Sequence, residues 1–182
     1  MIKILLALAL TMISCTKNQD SANTAAAPDE ILIGEVGSLT GNDATFGTST
    51  RDGIELAVRQ INAAGGLLGK KVRVLVMDNQ GKPEEAATAV TKLITQDKVV
   101  AILGEVASSR SLAMAPIAQR NQIPMISPSS TAVEVTKTGD YIFRVCFIDP
   151  FQGSVMAQFA HSSLNVKKVA ILRDMKSDYS VG

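Results

Sequence analysis

Apolar and polar positions change period repeatedly along this chain, and each change marks a new element. Ile31–Val36 (ILIGEV) is an apolar run of strand length. After a loop over 37–47, Ile54, Ala57, Val58 and Ile61 recur at helical spacing. They predict a helix from about Thr48 to Ala63, ended by Gly65-Gly66. Val72, Val74 and Val76 then alternate with Arg73 and Leu75, predicting a strand over Lys71–Met77. The next helix spans about Pro83 to Gln96. Its first turn holds Pro83, Glu84 and Glu85, and its buried stripe is Ala86, Val90, Leu93 and Ile94. Val99–Leu103 and Ile123–Ile126 read as strands around a helix over about Ser109–Arg120, which Pro116 is expected to kink or shorten. Ala132–Thr138 suits a short helical turn, and Tyr141–Phe147 a strand. Asp149-Pro150 reads as a cap followed by a first-turn proline. It opens a helix to about Leu164 with Phe151, Val155, Phe159 and Ser163 on one side. Val169–Leu172 reads as a last strand. Strands and helices in alternation, with apolar strands, predict an α/β class fold: a doubly wound parallel sheet with helices on both faces and right-handed crossovers.

In such a sheet the loops at the carboxyl ends of neighbouring strands lie side by side, and ligands bind there. Ser108 and Ser109 follow one strand; Ser129, Ser130 and Thr131 follow the next. These loops are therefore expected to face one another across one crevice. Small hydroxyls together with free helix N–H groups make a cradle for a small anion such as a carboxylate. The same serines also fit ordinary helix caps and turns.

Composition narrows the chemistry. The 182 residues carry a net charge of +1 and only 4% aromatic residues, with no basic stripe, which argues against nucleic acid as a partner. The two cysteines, Cys15 and Cys146, form no CxxC. The one histidine, His161, falls late in a predicted helix, so neither a structural zinc nor a Ser-His-Asp triad has material to draw on. Cys146 reads as a small buried apolar residue. The glycines of 37–47 do not follow GxGxxG, there is no GxxxxGK[ST], and no nucleophile–base pair stands out. Asp78 and Glu105 lie near strand ends without an evident partner and read as solvated loop acids. No enzyme activity and no cofactor or metal is expected.

The first residues are of another kind. Lys3 precedes an apolar run from Ile4 that is too short to span a bilayer, and segment 1–14 reads as an export signal. Met12-Ile13-Ser14-Cys15 resembles the lipobox of bacterial lipoproteins, with Met12 in a position usually held by Leu, Val or Ile. On that resemblance Cys15 is the lipid anchor. Residues 15–29, polar and without apolar period, suit a flexible tether.

Taken in order, DEILIGEVGSLTG, FGTSTRDGIELAVRQINAAGGLLGKKVRVLVMDNQ, the Ser108 and Ser129–Thr131 loops, YIFRVCFIDPFQG and RDMKSDYSVG resemble the type I periplasmic solute-binding proteins of ABC importers. The likeness is to the branched-chain amino-acid (Leu/Ile/Val) group, and it spans Asp29 to Gly182. It implies an extracytoplasmic protein of two α/β lobes that close on a ligand. Segment 30–140 would be an incomplete first lobe, and 141–182 a crossing strand and the start of the second. It implies capture of an amino acid, branched-chain or aliphatic, or a related small polar solute, and delivery to the permease subunits in the membrane. A ligand-sensing receptor ectodomain of the same fold is the alternative. It implies that the Ser108 hydroxyl binds the ligand α-carboxylate, that the Ser129 carbonyl accepts from the α-ammonium, and that Thr131 serves both. Phe46 and Tyr179 would wall the side-chain pocket. Family members run to about twice this length, a two-domain size, so the sequence reads as a fragment.

Overall fold

The structure, a computed structural model, describes residues 30–182. The expected export signal, tether and Cys15 lie outside the described residues. In chain order the elements are β1 (Glu30–Gly37), α1 (Ala44–Ala63), β2 (Lys71–Asp78), α2 (Pro83–Thr95), β3 (Ile102–Leu103) and α3 (Ser108–Arg120). They continue as β4 (Met125–Ser127), α4 (Glu134–Lys137), β5 (Ile142–Arg144), α5 (Asp149–Ser162) and α6 (Asp178–Val181). The strands form one parallel sheet in the order β2-β1-β3-β4-β5, which is the expected doubly wound arrangement. β1 and β2 pair along their whole length, from Glu30 opposite Lys71 to Gly37 opposite Asp78.

The period-2 pattern of each strand divides the apolar residues between the two faces. Leu32, Val36, Ile102, Met125 and Ile142 point into the core. There they meet the predicted stripe of α2 (Ala86, Val90, Leu93, Ile94) and Met114, Ala115 and Ala118 of α3. The opposite face carries Ile33, Leu103 and Ile126. It packs beside Ile54, Val58 and Ile61 of α1, leaving an open apolar groove of about 460 Å³. Ala57 lies on the same side but is exposed.

Several expectations need correction. α1 begins at Ala44, four residues earlier than predicted, so Phe46 belongs to its first turn and not to a loop. α3 is not cut short by Pro116, which sits on the exposed side of the helix, where the lost hydrogen bond is turned to solvent. Asp149 is not the cap of α5: Ile148 takes that place, and the Asp149 side chain is buried. Val169–Leu172 forms no strand. Val169, Ile171 and Leu172 are exposed, and no strand among the described residues lies beside them to complete a ladder. Phe151, Val155 and Phe159 of α5 are likewise exposed. His161 is exposed in the last turn of α5, as its position in the sequence suggested.

Candidate functional site

The strand order reverses direction between β1 and β3, and in open α/β sheets a ligand crevice forms outside the strand ends at that point. Glu105 fills the floor there. It is fully buried, not solvated as its loop position suggested. Its carboxylate accepts from the Ser38 amide (3.1 Å) and hydroxyl (2.8 Å), the Ala107 amide (2.8 Å) and Arg110 Nε (2.8 Å). Its carbonyl accepts from the hydroxyls of Ser111 (3.1 Å), Ser127 (2.6 Å) and Ser130 (3.1 Å). A buried carboxylate needs such a set of donors and a cation to offset its desolvation.

Asp78 is also no free loop acid. Burial alone would raise its carboxyl. The Thr40 hydroxyl and the amides of Gln80, Leu39 and Thr40 donate to it, however, and together hold it below the ordinary aspartate range. It clamps the β1–α1 loop against the end of β2.

Above this floor a cleft of about 500 Å³ is lined by Phe46, Ser108, Ser129, Thr131 and Tyr179, the five residues singled out from the sequence, with Arg110 beside them. The two serine loops meet as expected. The Ser108 hydroxyl accepts from the Ala132 amide (3.2 Å), and the Ser129 hydroxyl donates to the Val106 carbonyl (3.2 Å). Ser108 opens α3, so the first-turn N–H groups of a 13-residue helix face this end of the cleft. Thr131 Oγ1 is buried without a partner, and so are both carboxylate oxygens of Asp149, whose amide donates to the Thr131 carbonyl (3.1 Å). Phe46 and Tyr179 are more than half exposed or nearly so, at 63% and 50%, because the cleft is open on their side. Tyr179 accepts from Gln152 Nε2 (3.2 Å), and the Asp178 amide donates to Ser109 Oγ (3.3 Å), which ties α6 to the start of α3.

Sequence reasoning missed five residues in or beside the cleft. Asp149 was masked by its resemblance to a helix cap. Glu105 and Arg110 form a buried ion pair at 2.8 Å; the i, i+5 spacing across a strand–helix junction offers no pattern to find it by. Arg144 donates to the carbonyls of Ser130 (2.7 Å), Ala132 (2.8 Å) and Val133 (3.1 Å) and to the Thr136 hydroxyl (2.8 Å). It thereby fastens the loop that carries Thr131. Cys146 is not fully buried and lines the cleft. Burial pushes its thiol up; Arg144 opposes this and Asp149 adds to it.

Residues 30–182 match the family model described as periplasmic binding protein. The chain belongs to that family. Its solved relatives include the leucine binding protein LivK of Thermotoga maritima, at 42% identity and a TM-score of 0.78 over 84% of this chain and 43% of that one. Another is LivJ of Streptococcus pneumoniae, solved in complex with isoleucine, at 40% identity and 0.81 over 84% and 44%. Among curated relatives, an amino acid binding protein of Pseudomonas aeruginosa is 34% identical over 84% of this chain and 41% of its own length. The Leu/Ile/Val-binding protein of Escherichia coli K12 is 32% identical over 86% and 42%. The periplasmic binding protein match thus spans about two-fifths of the length of these relatives. The family is one of binding proteins, not of enzymes, and the parallel sheet is the one expected of its first part.

Proposed function

We propose that this chain is the amino-terminal part of an extracytoplasmic solute-binding protein that captures a branched-chain or other aliphatic amino acid for an ABC importer. The observation that carries the reading is a pairing of opposite polarities within one cleft. The first turn of α3 and the Ser108 hydroxyl offer donors to an α-carboxylate. Thr131 Oγ1, in the cleft lining, is a buried acceptor without a partner, suited to an α-ammonium, and the Ser129 carbonyl joins it. Phe46 and Tyr179 supply apolar walls for the ligand side chain. Neutral dipoles hold a zwitterion without a counter-charge at each end. Relatives described as leucine- or Leu/Ile/Val-binding support the aliphatic ligand. Residues 30–140 form the first lobe and 141–182 begin the second. Cys15 carries the lipid that anchors the protein in the cell envelope, from which it delivers ligand to the permease.

The test is calorimetric titration of leucine, isoleucine and valine into the intact protein, beside Ser108→Ala and Thr131→Ala. Each substitution removes a hydrogen bond to a charged group, about 1.5–3 kcal/mol, and should weaken binding at least tenfold. Unchanged affinity in both variants would overturn the site assignment, and no heat with any of the three ligands would overturn the ligand class.

A further inference from the structure

We propose that Arg110 is the positioning residue of this ligand site: one guanidinium that fixes the carboxylate-binding turn and the side-chain wall relative to each other. The inference rests on the ligand reading above and goes beyond it by assigning the origin of the site's rigidity. Arg110 is 8% exposed, yet it reaches three separate loops at the carboxyl edge of the sheet. Nε donates to Glu105 in the β3–α3 loop at 2.8 Å. Nη2 pairs with Asp43 at the end of the β1–α1 loop at 2.9 Å. Nη1 donates to the Gly81 carbonyl in the β2–α2 loop at 3.3 Å.

Two of these arms continue to parts of the cleft. The Glu105 carboxylate accepts the Ala107 amide, and Ala107 immediately precedes Ser108. The Asp43 carbonyl accepts the Phe46 amide at 3.0 Å, which sets the first turn of α1 and with it the aromatic wall. The guanidinium thus stands between Ser108 and Phe46. A planar fork can serve several acceptors at fixed angles, whereas a lysine ammonium supplies the charge without that geometry. Binding sites gain affinity when such supporting contacts hold them in the bound arrangement beforehand.

Hydrogen–deuterium exchange of the intact, ligand-free protein tests the proposal without any ligand. The variants are Arg110→Lys, Asp43→Asn, and the charge-neutral double substitution Glu105→Gln/Arg110→Met, which keeps a folded species available should a lone buried charge unfold the single variant. Arg110→Lys should speed exchange at least tenfold over 38–47 and 105–109 and leave the core segment 86–94 of α2 unchanged. Asp43→Asn should loosen 38–47 alone. The double substitution should loosen both loops. Unchanged loop exchange in all three, or acceleration that extends equally through 86–94, would overturn the positioning role. Leucine titration of the same proteins separates the two claims. Absence of binding by the unsubstituted protein refutes the ligand reading, while the exchange pattern alone decides the role of Arg110. Where leucine binds, Arg110→Lys should weaken it at least tenfold.

Discussion

Replacing Glu35 with Gln should flatten the pH dependence of stability between about pH 4.5 and pH 8. Glu35 points from β1 toward α1, is 1% exposed, and neither of its carboxylate oxygens has a hydrogen-bond partner. Its register neighbours are Val76 and Leu103, which carry no charge. The charged groups facing it come from α1. Arg51 lies closest to a pairing role, but its guanidinium is shared with Glu55 at 3.8 Å and Asp52 at 3.9 Å. Burial therefore dominates and pushes the Glu35 carboxyl up to about 7. Arg51 draws it down, while Glu55 and Asp52 push it further up.

The sign follows from proton counting. Between about pH 4.5 and 7 the folded protein keeps a proton that the unfolded chain has released. Stability contributed by the neutral carboxyl is thus complete at low pH and is lost as pH rises through the folded value. A carboxyl held that far above its ordinary value corresponds to about 3 kcal/mol lost across the interval. Urea unfolding of the intact protein and of Glu35→Gln from pH 4.5 to 8 isolates this group, because every other titration cancels in the difference. The buried amide of Gln carries a desolvation cost of its own, but that cost does not vary with pH. The stability gap should move by about 3 kcal/mol in favour of Gln as pH rises. A gap constant across the interval would refute the assignment of a raised Glu35, and a gap moving the other way would mean that Arg51 outweighs burial.

Other consequences are simpler. Asp78→Asn neutralises a carboxylate that accepts four hydrogen bonds and replaces the Oδ2 acceptor of the Thr40 hydroxyl by an amide donor, and should destabilise the β1–α1 loop by about 1–3 kcal/mol by urea unfolding at pH 7. The penalty should shrink as pH falls through the depressed pKa of the native aspartate, where the carboxylate contribution is itself lost. Gly47→Ala should be costly despite its helical position. A Cβ there would stand 2.0 Å from the Ser38 carbonyl oxygen, so α1 must move off the loop, and thermal unfolding should show a loss of more than about 2 kcal/mol.

The strands and helices were legible because each apolar run had one period and one neighbour to bury it. α2 shows this most plainly: every residue of the stripe read from the sequence is buried, with Ala89 added to it. The pattern failed where burial was not local. Val169–Leu172 has the composition of a strand, but a strand exists only beside another, and none of the described strands pairs with it. Asp149 looked like a cap because its type and its following proline are common there; its buried side chain could be seen only once β5 and the Thr131 loop were set beside it. Glu105 failed for the opposite reason. A lone acid after a strand is most often solvated, and the four groups that satisfy its carboxylate come from Ser38, Ala107 and Arg110, spread over 72 positions of sequence separation at most between Ser38 and Arg110.

The serines resolve the ambiguity that the sequence left open, and they do so one residue at a time. Ser38, Ser111, Ser127 and Ser130 take the structural part. Their hydroxyls donate to Glu105, through its carboxylate or its carbonyl, and they are buried. Ser108, Ser129 and Thr131 line the cleft instead. The division follows from the pleat and the turn. Ser127 ends β4 on the core side, and its Oγ accepts from the Ser130 amide at 2.9 Å. That closes a tight turn which leaves Ser129 at its exposed tip. The inward serines make a floor whose buried carboxylate, Glu105, is already satisfied. Among the side chains that line the cleft, Thr131 Oγ1 is the buried acceptor left without a partner. A site built this way can bind through groups that carry little net charge of their own, because the Glu105 carboxylate beneath is already satisfied and does not compete for the ligand.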